Sequence, residues 1–224
     1  VSVKTDLRGK AQKFVSILSD AINLSVADGI RLNYVGSRDG SKGWIGYQLK
    51  TDDITGRGFP LGVTNHNPTC YLYVNYHVTV ESEQGFLKVL KATFSLARNP
   101  EGQGTLFHYD FERDKQDFPS AHLQVLGDSA TLNELNELQG VTRQLGRLHF
   151  PVGGVRFRPC LEDVLEFLIV ERFVEHYREN WQQALTAARE EFHDIQLRAA
   201  VRRRPSSAVE QLNSMGYMIT PPEI

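Results

Sequence analysis

At 224 residues, 41% hydrophobic and 23% charged, the chain is long enough to bury a core and too apolar for general disorder. A formal net charge of −2 excludes a globally basic nucleic-acid binder while leaving local basic patches open. Cys70 and Cys160 are the only cysteines; they make no disulfide framework and, without CxxC spacing, no zinc motif, which fits a reducing cytoplasm.

The opening "VSVKTDLRGKAQKF" has basic residues but no uninterrupted apolar run after them, so it predicts no secretory signal. Within 6–25, Ala11, Phe14, Val15, Leu18, Ala21 and Ile22 fall on one helical stripe that Asp6 would cap. The period then becomes two. "IRLNYVG" (30–36) and "GWIGYQLK" (43–50) read as strands joined through an Asp-Gly turn. Residues 51–69, with glycines, prolines and no sustained period, read as loop. "CYLYVNYHVTVES" (70–82) alternates Leu72, Val74, Tyr76, Val78 and Val80 with Tyr73, Asn75, His77 and Thr79, as a half-buried antiparallel strand requires. "FLKVLKATFSLAR" (86–98), "TLFHYDFE" (105–112) and "SAHLQVLG" (120–127) complete a meander of about six strands.

The second part is helical. Residues 129–148 read as one or two short helices broken at Gly140, "HFPVGGVRFRP" as a connection with a short strand at 155–158, and 161–180 as the helix that covers the sheet. No segment is long and apolar enough to span a bilayer; the richest, "VLEFLIVERFV" (164–174), is interrupted by charge. In 181–204, Trp181, Leu185, Ala188, Phe192, Ile195 and Ala199 form a short coiled-coil-like seam, expected to be buried against the sheet or across a homodimer or other partner. "PSS" ends it and 208–219 forms a last helix. The expected fold is α+β: a mostly antiparallel sheet, an N-terminal helix, and C-terminal helices packed on one face. Its organisation is an α+β domain over 1–180 and a helical arm over 181–224.

Polar chemistry concentrates in "FHYDFERDKQDFPSAHLQVLG" (107–127). Matching the apolar faces of the two strands sets Asp110 across from His122 and His108 across from Gln124, with Cβ atoms about 4.5–5.5 Å apart. There the carboxylate would orient an imidazole and raise its pKa. Three readings follow. One is a solvated polar sheet face. Another is acid–base chemistry by His108, Asp110 and His122, sufficient for metal-independent phosphodiester cleavage with Tyr109 and Gln124 contacting substrate. The third is a zinc or ferrous site of the same three residues; the working expectation is no metal and no cofactor. In "GGVRFRP", Arg156 and Arg158 read as a phosphate clamp, supported by the amides of Gly153 and Gly154. His66, His77, His149, His176 and His193 read as isolated surface or core groups, and Arg202–Arg204 as favourable charge at a helix C-terminus.

The stretch 107–127, followed by "LHFPVGGVRFRPCLEDVLEFLIVE", resembles the TumE-like toxin family of bacterial toxin–antitoxin modules over about residues 104–172. The shared layout is an aromatic-Asp strand, a loop ending in Pro-x-His, a second strand, and a helix opening with Leu-Glu-Asp. Gln124 stands where members of that family often carry a second histidine. The resemblance implies a cytoplasmic effector held in check by an antitoxin-like partner, with RNA as target. The competing expectation is a non-enzymatic interaction module that uses the 181–204 helix.

Overall fold

The computed structural model describes residues 6–64, 67–81, 85–153 and 158–220. Helix α1, Leu7–Ser25, opens at Asp6, whose carboxylate accepts the Gly9 amide at 2.8 Å; an N-cap of this kind satisfies one of the helix's orphan donors. Its buried side chains, Leu7, Ala11, Leu18, Ala21, Ile22 and Ser25, trace the predicted stripe, while Phe14 and Val15 pack at its margin.

Among the described residues, the sheet is antiparallel and has eight strands: β1 Leu32–Gly36, β2 Lys42–Tyr47, β3 Phe59–Thr64, β4 Asn67–Val80, β5 Leu87–Ala97, β6 Thr105–Glu112, β7 Ala121–Val125 and β8 Phe150–Pro151. Their order is β1-β2-β4-β5-β6-β7-β8, with β3 paired to the first half of β4. The fold class is the expected one, with two strands more. β3 lies within the stretch expected to be loop. Its Phe59 and Leu61 are buried, but Pro60 and Gly62 interrupt the β-forming pattern; proline is tolerated because β3 is an edge strand. β8 pairs with His122 and Leu123. The short strand expected at 155–158 lies mostly outside the described residues.

One face of the sheet, carrying Leu72, Val74, Tyr76, Val78, Phe94, Phe107 and Phe111, packs under α1, the helix α3 Leu161–Val170 and the start of α4 Trp181–Arg203. α3 ends ten residues before the expected boundary of 180. Arg172 takes a left-handed conformation (φ 60), and the amides of Arg172 and Phe173 close back on the carbonyls of Ile169 and Leu168 at 3.0 and 2.9 Å. This is the paired closure of a Schellman turn, with arginine where glycine is usual. On the other side of the sheet, α2 Ala130–Gln139 is capped by Ser129 and stops at Gly140 (φ 62), the predicted break; a 3₁₀ turn, Leu145–Arg147, follows.

The seam on α4 is only partly buried. Trp181 and Leu185 belong to the core, Phe192 is half-buried, and Ile195 is 49% exposed, so the expected burial of Ile195 against the chain's own sheet does not occur. The helix outlasts the surface beneath it. The last helix, α5 Pro205–Ser214, starts at the proline expected to precede it, since proline fits the first helical position. Phe192 contacts the sheet through Arg158, whose guanidinium lies 5.3 Å from the Phe192 ring and 4.6 Å from the Phe111 ring. Phe192→Ala removes half of this sandwich and part of a half-buried ring. It is expected to cost about 1–2 kcal/mol in urea denaturation, between a surface change and a core cavity; a loss above about 3 kcal/mol would mean a fully packed core site.

Candidate functional site

The face of the sheet opposite the helices is polar because strand alternation sends the second set of side chains there. At the β4 end it is covered: the Tyr73 hydroxyl donates to the Thr55 carbonyl and Asn75 Nδ2 to the Ile54 carbonyl at 3.1 Å. Over β5, β6 and β7 it carries the polar set, where register pairs Thr93 with Asp110, Asp110 with His122, and His108 with Gln124. The pairing expected from the two apolar faces is therefore present.

Hydrogen bonding fixes the protons. Gln124 Nε2 donates to the Gly146 carbonyl at 2.8 Å, which turns Oε1 toward His108 Nε2 at 2.6 Å. An amide oxygen only accepts, so His108 carries a proton on Nε2 and keeps Nδ1 as its basic nitrogen when neutral. His122 Nδ1 lies 2.9 Å from the Pro119 carbonyl and must donate to it, leaving Nε2 as its lone-pair nitrogen. The Thr93 hydroxyl donates to Asp110 Oδ1 at 2.6 Å. Asp110 Oδ2 then stands 3.5 Å from His108 Nε2 and 3.9 Å from His122 Nε2. Both are longer than a good hydrogen bond, and both become ion pairs once the imidazole is protonated.

The three groups differ in access. The side chains of His108 and Asp110 are 26% and 15% exposed, whereas His122 is 2% exposed. His122 is therefore not a solvated face residue. Phe118 packs edge-on against it at 4.8 Å, and His149, stacked on Phe118 at 4.3 Å, closes the other side at 4.7 Å. Burial first, and then the charge of His122, lowers the His149 pKa.

The remaining predicted residues do not join the histidines. Tyr109 alternates onto the helix face, where its ring lies 5.7 Å from that of Phe107 and burial, helped by Asp163, raises its pKa. Arg158 is buried on the same helix side against Phe111, so it cannot clamp a phosphate held by His108; burial lowers its pKa. Arg156 and Gly154 lie outside the described residues; Gly153 is exposed. Residues without a sequence signal take their place. His149 precedes β8, and continuing the β7–β8 register sets it on the face of Gln124 and His122. Arg143 and Arg147 line a groove with His108 and Gln124 between β6, β7, α2 and the 3₁₀ turn. Among the described residues, no group of three His, Cys, Asp or Glu side chains is spaced to hold a metal ion. No described helix is long and apolar enough to cross a membrane.

Two histidines on this face carry an acid-side cost. The His77 ring is stacked on Trp44 at 5.0 Å, and its pKa is lowered by burial and then by Lys42; that of His149 is lowered as above. A depressed folded pKa contributes stability that is present above the unfolded value of about 6.5 and is lost as pH falls through the folded value. Stability in urea should therefore decline between about pH 7.5 and 5.5, and the decline should shrink in His77→Gln. An equal decline in that variant would contradict the assignment.

No protein family, curated protein or solved structure matches the chain.

Proposed function

We propose that the protein is an RNA-directed effector of the toxin type that cleaves phosphodiester bonds by metal-independent acid–base chemistry. The observation that carries this reading is the ordered set His122–Asp110–His108–Gln124, with His108 lining a groove. His108 Nδ1 takes the proton of a ribose 2′-hydroxyl. The 2′-oxygen bonds to phosphorus, the 5′-oxygen leaves and is protonated from solvent, and the products are a 2′,3′-cyclic phosphate and a 5′-hydroxyl. Asp110 stabilises the imidazolium that forms; buried His122 acts through Asp110 as a positioning residue. Gln124 holds the His108 tautomer.

The resemblance over 104–172 supports a cytoplasmic setting and an antitoxin-like partner. Induced expression in a bacterial host is expected to arrest growth, and His108→Gln to relieve the arrest at equal protein level; arrest by both would remove the reading. A second reading, a homodimeric or partner-binding module, is supported by the exposed Ile195, Leu197 and Val201 on α4. It predicts a dimer in light scattering, and a monomer at high concentration would remove the homodimeric form.

A further inference from the structure

The groove at His108 has walls that no part of the acid–base set explains. Its volume is about 570 Å³, within the usual range for small-ligand sites. His108, Gln124, Arg143, Arg147 and Asp128 all line it. Both arginines are exposed, and the Arg143 guanidinium donates to Gln139 Oε1 at 2.7 Å. The segment that carries them is held in place. The Asn136 amide donates to the Arg143 carbonyl at 2.8 Å, the Arg147 and Leu148 amides close the 3₁₀ turn, and Gln124 ties Gly146 to the sheet. Arg143 and Arg147 thus line the same groove as the part-exposed His108, while Arg158, the cation the sequence suggested, is buried on the far side of the sheet.

We infer that this groove binds a phosphodiester of single-stranded RNA, with Arg143 and Arg147 as its phosphate contacts. The inference rests on the proposed cleavage reading for the identity of the polymer, and on the groove alone for the contacts. Guanidinium forks match phosphate oxygens and hold them without bond chemistry. A single strand is required because the 2′-hydroxyl must be free to align against phosphorus, and because bases are read outside a duplex. Asp128 on the same rim opposes a polyanion, so binding is set by the balance of two cations against one carboxylate.

The test measures binding apart from cleavage. A fluorescein-labelled oligoribonucleotide, 2′-O-methylated at every ribose, cannot form the cyclic phosphate, so anisotropy reports the groove only. Wild-type protein is expected to bind it. The Arg143→Gln, Arg147→Gln double variant should lose about tenfold or more in affinity, and its log–log salt slope should fall by about 1.4, roughly 0.7 for each single-strand phosphate no longer neutralised. Asp128→Asn should tighten binding by about two- to fivefold through removal of the opposing charge. Should the double variant fold poorly by circular dichroism, Arg147→Gln alone, with half the slope change, decides the matter. No binding by wild type, or arginine variants within twofold of it, overturns the inference. Cleavage of an unmodified strand is scored separately. Binding that depends on the arginines without cleavage keeps the groove and removes the catalytic reading, whereas cleavage indifferent to the arginines does the reverse.

Discussion

Asp110→Asn is expected to lower RNA cleavage by about 10²–10⁴-fold, the range that a positioned acid–base group supplies. The substitution keeps shape and keeps an acceptor for the Thr93 hydroxyl, which donates at 2.6 Å. It removes the charge that faces His108 Nε2 at 3.5 Å and His122 Nε2 at 3.9 Å. The new amide would set N–H groups against the proton that Gln124 holds on His108 Nε2, so the required tautomer is penalised as the imidazolium loses its counter-charge. Because Asp110 lies on the polar face, the midpoint of urea unfolding should move little. The split between lost activity and kept stability is the signature. Retained cleavage would show that the carboxylate is only part of a solvated face, and lost cleavage with an equally large loss of stability would make Asp110 structural.

The largest stability effect belongs to α3. Leu165 is 0% exposed and lies with Leu161, Val164 and Leu168 on the helix face that covers the sheet. Leu165→Ala removes buried methyl groups and leaves a cavity that the flanking strands can close only in part. It is expected to cost about 2–5 kcal/mol in urea or guanidinium denaturation. Val170 ends the same helix at 62% exposure, and Val170→Ala should stay within about 0.5 kcal/mol. Similar costs at the two positions would mean that α3 does not form the lid of the core.

Much of this architecture is legible in single residues. Asp6 signals the start of α1, Gly140 the end of α2, and the alternation in 70–82 identifies the central strand with its buried face. The register of Asp110 with His122 follows from the apolar faces of β6 and β7, because a one-residue slip would expose Phe107, Phe111 and Ala121 together. Other features have no local signal. The left-handed turn at Arg172 uses a residue with no preference for it, so the helix reads through to 180. Pro60 and Gly62 hide an edge strand. β8 has two residues, too few for a period to emerge, which is why His149 reads as isolated. The cover over His122 comes from Phe118 and His149, on segments flanking β7 and β8. The face taken by Arg158 depends on where α4 crosses the sheet, which local patterning does not encode.

Product chemistry tests most directly the proposal that His108 is the acid–base group of a metal-independent ribonuclease. Single-stranded RNA is incubated with purified protein in excess EDTA and the new ends are identified by mass spectrometry. Wild type should give 2′,3′-cyclic phosphate and 5′-hydroxyl ends and His108→Gln none, and a strand whose ribose is replaced by deoxyribose at the cleaved position should be protected. Intact RNA, or cleavage that survives His108→Gln, would contradict it.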